Sequence, residues 1–175
     1  MGSEAVFVGG RSGVGKSSVA LEAHARLSDA GLSHCLIDGG ALDMAHPPPW
    51  EHNLAERNLP AMWQNYRTLG YGRMLYTNTV SVIPGVTAQL TDAMGDDPTV
   101  TAILLICSDA TARQRLGQRE TGSSLGKHLK SSAAMADLLE RGLPATVHRV
   151  VTDGRTVSDV AEEVIALTGW LSSPP

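Results

Sequence analysis

The segment that most constrains this chain is Gly10-Arg11-Ser12-Gly13-Val14-Gly15-Lys16-Ser17, which satisfies the spacing G-x-x-x-x-G-K-S/T in full. Glycines at these places let successive backbone N–H groups turn toward a single anion, and a helix starting directly behind them adds its N-terminal partial charge. A lysine at the end of the loop reaches the β- and γ-phosphates, and the following hydroxyl ligates Mg²⁺. An apolar run, Glu4 to Val8, precedes the loop, and a helical pattern follows it with Val19, Ala20, Ala23 and Leu27 on one face. Motif and context together predict a strand, a phosphate loop and a helix that bind a nucleoside triphosphate, most simply ATP with Mg²⁺. The predicted contacts are Gly10, Arg11, Ser12, Gly13, Val14, Gly15, Lys16, Ser17 and Ser18.

The rest of the chain repeats the strand–helix alternation. Short apolar strands are expected at His34–Ile37, Arg73–Val82, Val100–Cys107 and Val147–Val151. Helices are expected at Asn58–Leu69, Val86–Met94, Asp109–Arg119, Leu125–Arg141 and from Thr156 on. Pro60 falls in the first turn of its helix or kinks a longer one that begins near Glu51. Asp109 is positioned to cap its helix, and Thr156-Val157-Ser158-Asp159 has the form of a capping box. This alternation predicts an α/β domain of three layers with a mainly parallel sheet, spanning 1–175 as one unit. Ligands of such sheets sit beyond the carboxyl ends of the strands.

Composition sets limits on partners. The chain has 175 residues, 42% of them apolar and 18% charged, with a formal net charge of -4. A negative balance argues against nucleic acid as a partner. No apolar run is long enough to cross a membrane, and no secretory leader is read at the start. The two cysteines, Cys35 and Cys107, lie in apolar runs and read as buried reduced thiols of a cytoplasmic protein, a monomer or homodimer.

The loop, the strand–helix order and the short chain together resemble the small P-loop kinases, among them the shikimate, gluconate, adenylylsulfate and nucleotide kinases and the phosphotransferase that acts on chloramphenicol. The resemblance implies a five-stranded sheet of order 2-3-1-4-5, a small helical lid at about 118–130, and ATP-dependent phosphoryl transfer to a hydroxyl of a small molecule. The second strand ends in Leu36-Ile37-Asp38-Gly39-Gly40-Ala41. Adenylylsulfate kinases carry a similar Asp-Gly-Asp-Asn segment there, and the chloramphenicol enzyme an Asp that serves as base. Gly40 and Ala41 depart from the adenylylsulfate pattern. Asp38 is therefore the candidate base, or with Ser17 an organiser of Mg²⁺. By the same resemblance Arg115 and Arg119, four apart on one helix face, are lid arginines that meet the transferring phosphate, and the loop around Gly154 lies against adenine. The acceptor is expected near Asp43, His46, Trp50, Arg57 and Asn78. Asn78 stands where many P-loop proteins carry an acid after the third strand. That amide favours two rivals to a general small-molecule kinase less than it favours a third: an adenylylsulfate or nucleotide kinase keeps the kinase reading, whereas a regulatory NTP-binding protein with slow hydrolysis does not need the acid.

Overall fold

A computed structural model describes residues 2–47, 49–52, 54–119 and 124–172, without the side chains of Trp50, Arg119 and Ser124. Five strands form one sheet: β1 (Glu4–Gly9), β2 (Cys35–Asp38), β3 (Arg73–Thr77), β4 (Thr99–Ile106) and β5 (His148–Val151). Their order is β2-β3-β1-β4-β5 and every pairing is parallel, with Val6 beside Leu75 on one side and beside Thr101 on the other. The expected architecture and strand order are both present.

Parallel strands need crossovers, supplied by α1 (Lys16–Asp29), α2 (Leu54–Thr68), α3 (Pro84–Met94), and α4 (Asp109–Arg119) with α5 (Ser124–Gly142), while α6 (Val157–Thr168) follows the last strand. The period-two alternation of β1 sorts the core into two faces. Val6 and Val8 pack with Val19, Ala23 and Leu27 of α1 and with Val160 and Val164 of α6. Ala5 and Phe7 point the other way, toward Leu59 and Trp63 of α2, Met94 of α3 and Leu139 of α5. Trp63 is core, as its helical spacing predicts, and its indole N–H donates to Asp96 at 3.2 Å. Cys35 and Cys107 are buried free thiols, and burial pushes the Cys35 thiol up to about 12.

Three element boundaries differ from expectation for local reasons. β3 stops at Thr77 because Asn78 turns the chain: its Oδ1 accepts from the Val80 N–H at 3.1 Å and its carbonyl from the Ser81 N–H at 3.4 Å. α2 begins at Leu54 rather than Asn58, which puts Pro60 inside a longer helix, the second of the two expected placements. Ser108, not Asp109, caps α4, its hydroxyl accepting from the Thr111 N–H at 3.2 Å. The capping box on α6 forms as expected, with Thr156 and Asp159 bonding each other's N–H groups.

Candidate active site

The phosphate loop leaves the end of β1 and is pinned to the turn after β3 by Gly10, whose N–H donates to the Thr79 carbonyl at 3.1 Å. Gly10, Gly13 and Gly15 all have positive φ, at 142°, 84° and 106°. The curve this produces brings the chain to the start of α1, where Gly15 occupies the cap position with no side-chain cap and no acid follows in the first turn. The exposed N–H groups of α1 are thus aimed at open space, an arrangement that suits an anion. The Lys16 ammonium donates to the carbonyls of Gly10 at 2.7 Å and Arg11 at 3.1 Å, lying across the loop it belongs to.

Two clefts flank this loop, and a third opens beyond the turn that follows β2. The front cleft, about 360 Å³, is lined by Lys16, Ser17, Asp38, Gly40, His128 and Ser131 among others. At its floor the Ser17 hydroxyl donates to Asp38 Oδ2 at 3.1 Å, while Asp38 Oδ1 accepts from the Gly40 N–H at 3.0 Å. Two hard oxygen donors side by side next to a phosphate loop fit Mg²⁺, which binds through one or two protein oxygens and completes its shell with phosphate and water. Among the described residues no group of three or more His, Cys, Asp or Glu could hold a metal without such help.

The rear cleft, about 290 Å³, lies on the other side of the loop between Gly13, Gly15, Arg115, Thr152, Arg155 and Val157. Gly154 turns the chain with φ 67° between Thr152 and Arg155, which line this cleft, but is not itself among the lining residues. Asp153 fastens the same turn to α4 by accepting from the Ser108 N–H and hydroxyl and from Thr111; these donors hold its carboxyl below the usual range. The side cleft, about 200 Å³, opens between α2 and α3, with Asp43, Glu56, Tyr76 and Asn78 as polar lining. The turn 38–43 joins front to side: Asp38 and Gly40 face the first, Gly39 and Asp43 the second.

Several expected contacts take other places. The Arg11 side chain does not face the loop mouth. It is 4% exposed, donating to Ser132 at 2.9 Å and pairing with Asp109 at 2.5 Å, while the Ser132 hydroxyl donates to the Ser12 carbonyl at 2.8 Å. Arg11 therefore ties the loop to α4 and α5. Arg115 lies in the rear cleft, its guanidinium donating to the Val14 carbonyl at 2.7 Å and to the Thr152 hydroxyl and carbonyl at 3.0 and 3.3 Å. The Arg119 side chain, the Trp50 side chain and the lid residues 120–123 fall outside the described residues. Asp43 and Asn78 do line one cleft, although the Asn78 amide oxygen is engaged in its own turn. His46 and Arg57 are exposed and line none of the three clefts.

Sequence reasoning passed over His128, Ser131 and Ser132, whose i, i+3, i+4 spacing puts them on one face of α5 beside the loop. It also passed over Tyr76, which shares a sheet face with Met74 and reaches the side cleft.

No family model and no curated protein matches this chain. Solved structures do. The Mycobacterium tuberculosis APS kinase in complex with AMPPNP and APS aligns with a TM-score of 0.61 at 20% identity, over 95% of this chain and 97% of that one. The Deinococcus radiodurans tunicamycin resistance protein aligns at 0.67 and 19%, over 95% and 96%. A gluconokinase from Sinorhizobium meliloti aligns at 0.63 and 18%, over 96% and 93%. The chain has the fold of the small P-loop kinases.

Proposed function

We propose that this protein transfers the γ-phosphoryl group of ATP to a hydroxyl of a small molecule, with Mg²⁺ held at Ser17 and Asp38. The observation that carries the reading is the 3.1 Å contact between Ser17, which ends the phosphate loop, and Asp38, which ends β2 and faces the cleft leading to a second pocket. A phosphate loop alone needs no such acid beside an acceptor-sized cavity. In this reading the triphosphate lies along the N–H groups of the loop, with Lys16 moving from the loop carbonyls to the β- and γ-oxygens. Adenine occupies the rear cleft beside Thr152, Gly154 and Arg155. Mg²⁺, when bound, neutralises charge on the β- and γ-phosphates.

The acceptor hydroxyl approaches from the side cleft past Gly40. Its oxygen attacks the γ-phosphorus, the bond from that phosphorus to the β–γ bridging oxygen breaks, ADP leaves, and the hydroxyl proton passes to Asp38. The fold of the neighbours supports this class, and the APS kinase structure with AMPPNP and APS supports a nucleotide at the loop with an acceptor beside it.

A second reading is favoured by Asn78. The amide that stands where an acid often helps order the metal is spent on a turn, as expected of a regulatory NTP-binding protein that hydrolyses slowly. Release of ADP measured across a panel of hydroxyl compounds separates the two. A phosphotransferase releases ADP faster with its acceptor; the regulatory protein releases it at one slow rate throughout. Lys16→Ala removes ATP binding by calorimetry in both cases. Asp38→Asn keeps ATP affinity and lowers transfer by roughly 10²–10⁴-fold if Asp38 is the base. Partial rescue of that variant by Mn²⁺ leaves Asp38 with the metal role alone, and full activity removes it from the mechanism.

A further inference from the structure

The side cleft holds a polar group that the fold leaves unanswered. Tyr76, near the end of β3, is 3% exposed, and its ring packs edge-on against Phe7 with centroids 5.7 Å apart. Its hydroxyl lies against Gly39, so closely that a Cβ built there would come within 2.2 Å of it, with the Thr77 carbonyl oxygen at 2.9 Å. Gly39 therefore has no side chain because the tyrosine passes over it. Among the described residues no hydrogen bond is formed by the Tyr76 hydroxyl, and the residue lines the cleft, which leaves the group available to a ligand there. Burial, followed by the negative charge of Asp38, Asp43 and Glu56, pushes its titration up to about 12. At neutral pH the group is thus a protonated donor that also accepts.

The charge around it has one sign. The cleft wall carries Asp43 and Glu56, and among the described residues no Lys, Arg or His lines it. Asp38 stands at the junction with the front cleft. Facing these acids is an apolar wall that includes Leu59, Val86 and Leu90. A carboxylate, sulfate or phosphate placed here would meet two like charges, and the first turn of α2, which borders the cleft, already carries the acid Glu56. An amine or an uncharged hydroxyl meets acceptors for its N–H or O–H groups, and its carbon skeleton meets the apolar wall.

We propose that the side cleft binds the non-reacting part of the phosphoryl acceptor, and that this part is uncharged or amine-bearing, with one of its polar atoms hydrogen-bonded to the Tyr76 hydroxyl. The proposal rests on the phosphotransferase reading above and narrows it: the acceptor is a hydroxyl or amino-hydroxyl compound with an apolar face, not an organic acid or a nucleotide. Specificity then comes as much from what Asp43 and Glu56 repel as from what Tyr76 binds.

The test uses full-length protein, ATP and Mg²⁺ with a panel in which each hydroxyl scaffold is present as its acid, its alcohol and its amine, for example gluconate, glucitol and 1-amino-1-deoxyglucitol. ADP release is read for the wild type, Tyr76→Phe and Glu56→Gln. The alcohol or amine series should stimulate release and the acids should not. Tyr76→Phe should raise the acceptor KM by roughly tenfold, the worth of one hydrogen bond, and leave the ATP KM unchanged. Glu56→Gln should lower discrimination between amine and acid. Stimulation by the acids, or an acceptor KM unmoved by both variants, overturns the assignment of the cleft while the kinase reading stands. If no compound stimulates release although calorimetry shows ATP bound, the kinase reading itself fails and takes this inference with it.

Discussion

Replacing Arg115 with alanine distinguishes a lid cation from a structural prop. The guanidinium bridges three segments distant in sequence: α4, the Val14 carbonyl of the phosphate loop, and Thr152 at the end of β5. Val14 is fully buried and Thr152 is 2% exposed, so these acceptors have little water of their own. Hydrogen bonds from a charged donor contribute about 1.5–3 kcal/mol each, but one donor serves all three and the Thr152 hydroxyl can still donate to Val14 at 3.4 Å. Water can also enter from the rear cleft when the side chain is gone. A net loss of about 2 kcal/mol follows, which for a chain of this size lowers Tm by roughly 4–8 °C.

The assay is urea denaturation with and without ATP, together with calorimetric ATP titration and steady-state turnover. A prop predicts a lower urea midpoint and an ATP affinity reduced by up to about tenfold, since the carbonyl of Val14 is part of the loop that holds phosphate. Arg115→Lys should recover only part of the midpoint, because an ammonium is a point charge that cannot span Val14 and Thr152 with a planar fork. If Arg115→Ala leaves the midpoint unchanged and cuts turnover more than it cuts ATP affinity, the prop account is wrong. Arg115 then acts on the moving phosphoryl group, as the resemblance implies for a lid arginine.

Two further predictions concern stability. Gly10→Ala should cost about 2–5 kcal/mol, since φ 142° is unfavourable for an L side chain and the added Cβ would lie 2.7 Å from the Leu105 carbonyl oxygen, whereas Gly15→Ala meets nothing nearer than Arg115 at 3.7 Å and should cost about 1–2 kcal/mol; equal urea midpoints for the two variants would refute the steric part of the argument. His34 is buried, its Nδ1 donates to the Leu32 carbonyl at 2.8 Å, and its Nε2 lies 2.8 Å from His24 Nδ1. Burial holds its pKa below the ordinary 6.5, with His24 adding to the effect. The unfolded chain therefore takes up this proton first, so the stabilisation is complete above pH 6.5 and is lost as pH falls through the lower folded value. Urea midpoints should begin to decline as pH falls below about 6.5, before Asp153 and Asp159, whose pKa values are also lowered, begin to matter, and His34→Gln should flatten that decline. An unchanged slope in the variant assigns the loss to other groups.

The fold was legible because its determinants are local and repeated. Alternation in β1 separates Val6 and Val8 from Ala5 and Phe7 within four residues, and the G-x-x-x-x-G-K-S spacing fixes a strand, a turn and a helix in one stretch. The departures in side-chain placement and strand length have equally physical causes. β3 reads as continuing to Val82 on β-propensity, but an Asn78 side-chain bond to the backbone two residues on competes with the ladder and ends it at Thr77. Arg11 reads as a phosphate contact from its place in the motif. Its partners Asp109 and Ser132 are 98 and 121 residues away, and no short-range pattern shows that α4 and α5 come together there. Arg115 shares a helix face with Arg119, but spacing alone does not say which side of the loop that face meets.

The two halves of the proposed reaction differ in the same way. In the proposed reaction the residues that cradle the donor's phosphates are contiguous, because one backbone turn and one helix start suffice for that, and so a motif identifies them. Residues that choose the acceptor come from the turn after β2, the end of β3, and the facing sides of α2 and α3, and no two of Asp43, Glu56, Tyr76 and Gln89 are neighbours in sequence. Their identity becomes informative only through the unpaired hydroxyl of Tyr76 and the one-signed charge around it. Changing Tyr76 and Glu56 should therefore alter which acceptor is used without altering how ATP is bound, while changing Lys16 should abolish both activities at once. A Tyr76→Phe variant that lost ATP affinity along with acceptor affinity would mean that the side cleft is mechanically part of the nucleotide site, and that donor and acceptor recognition are not separable in this fold.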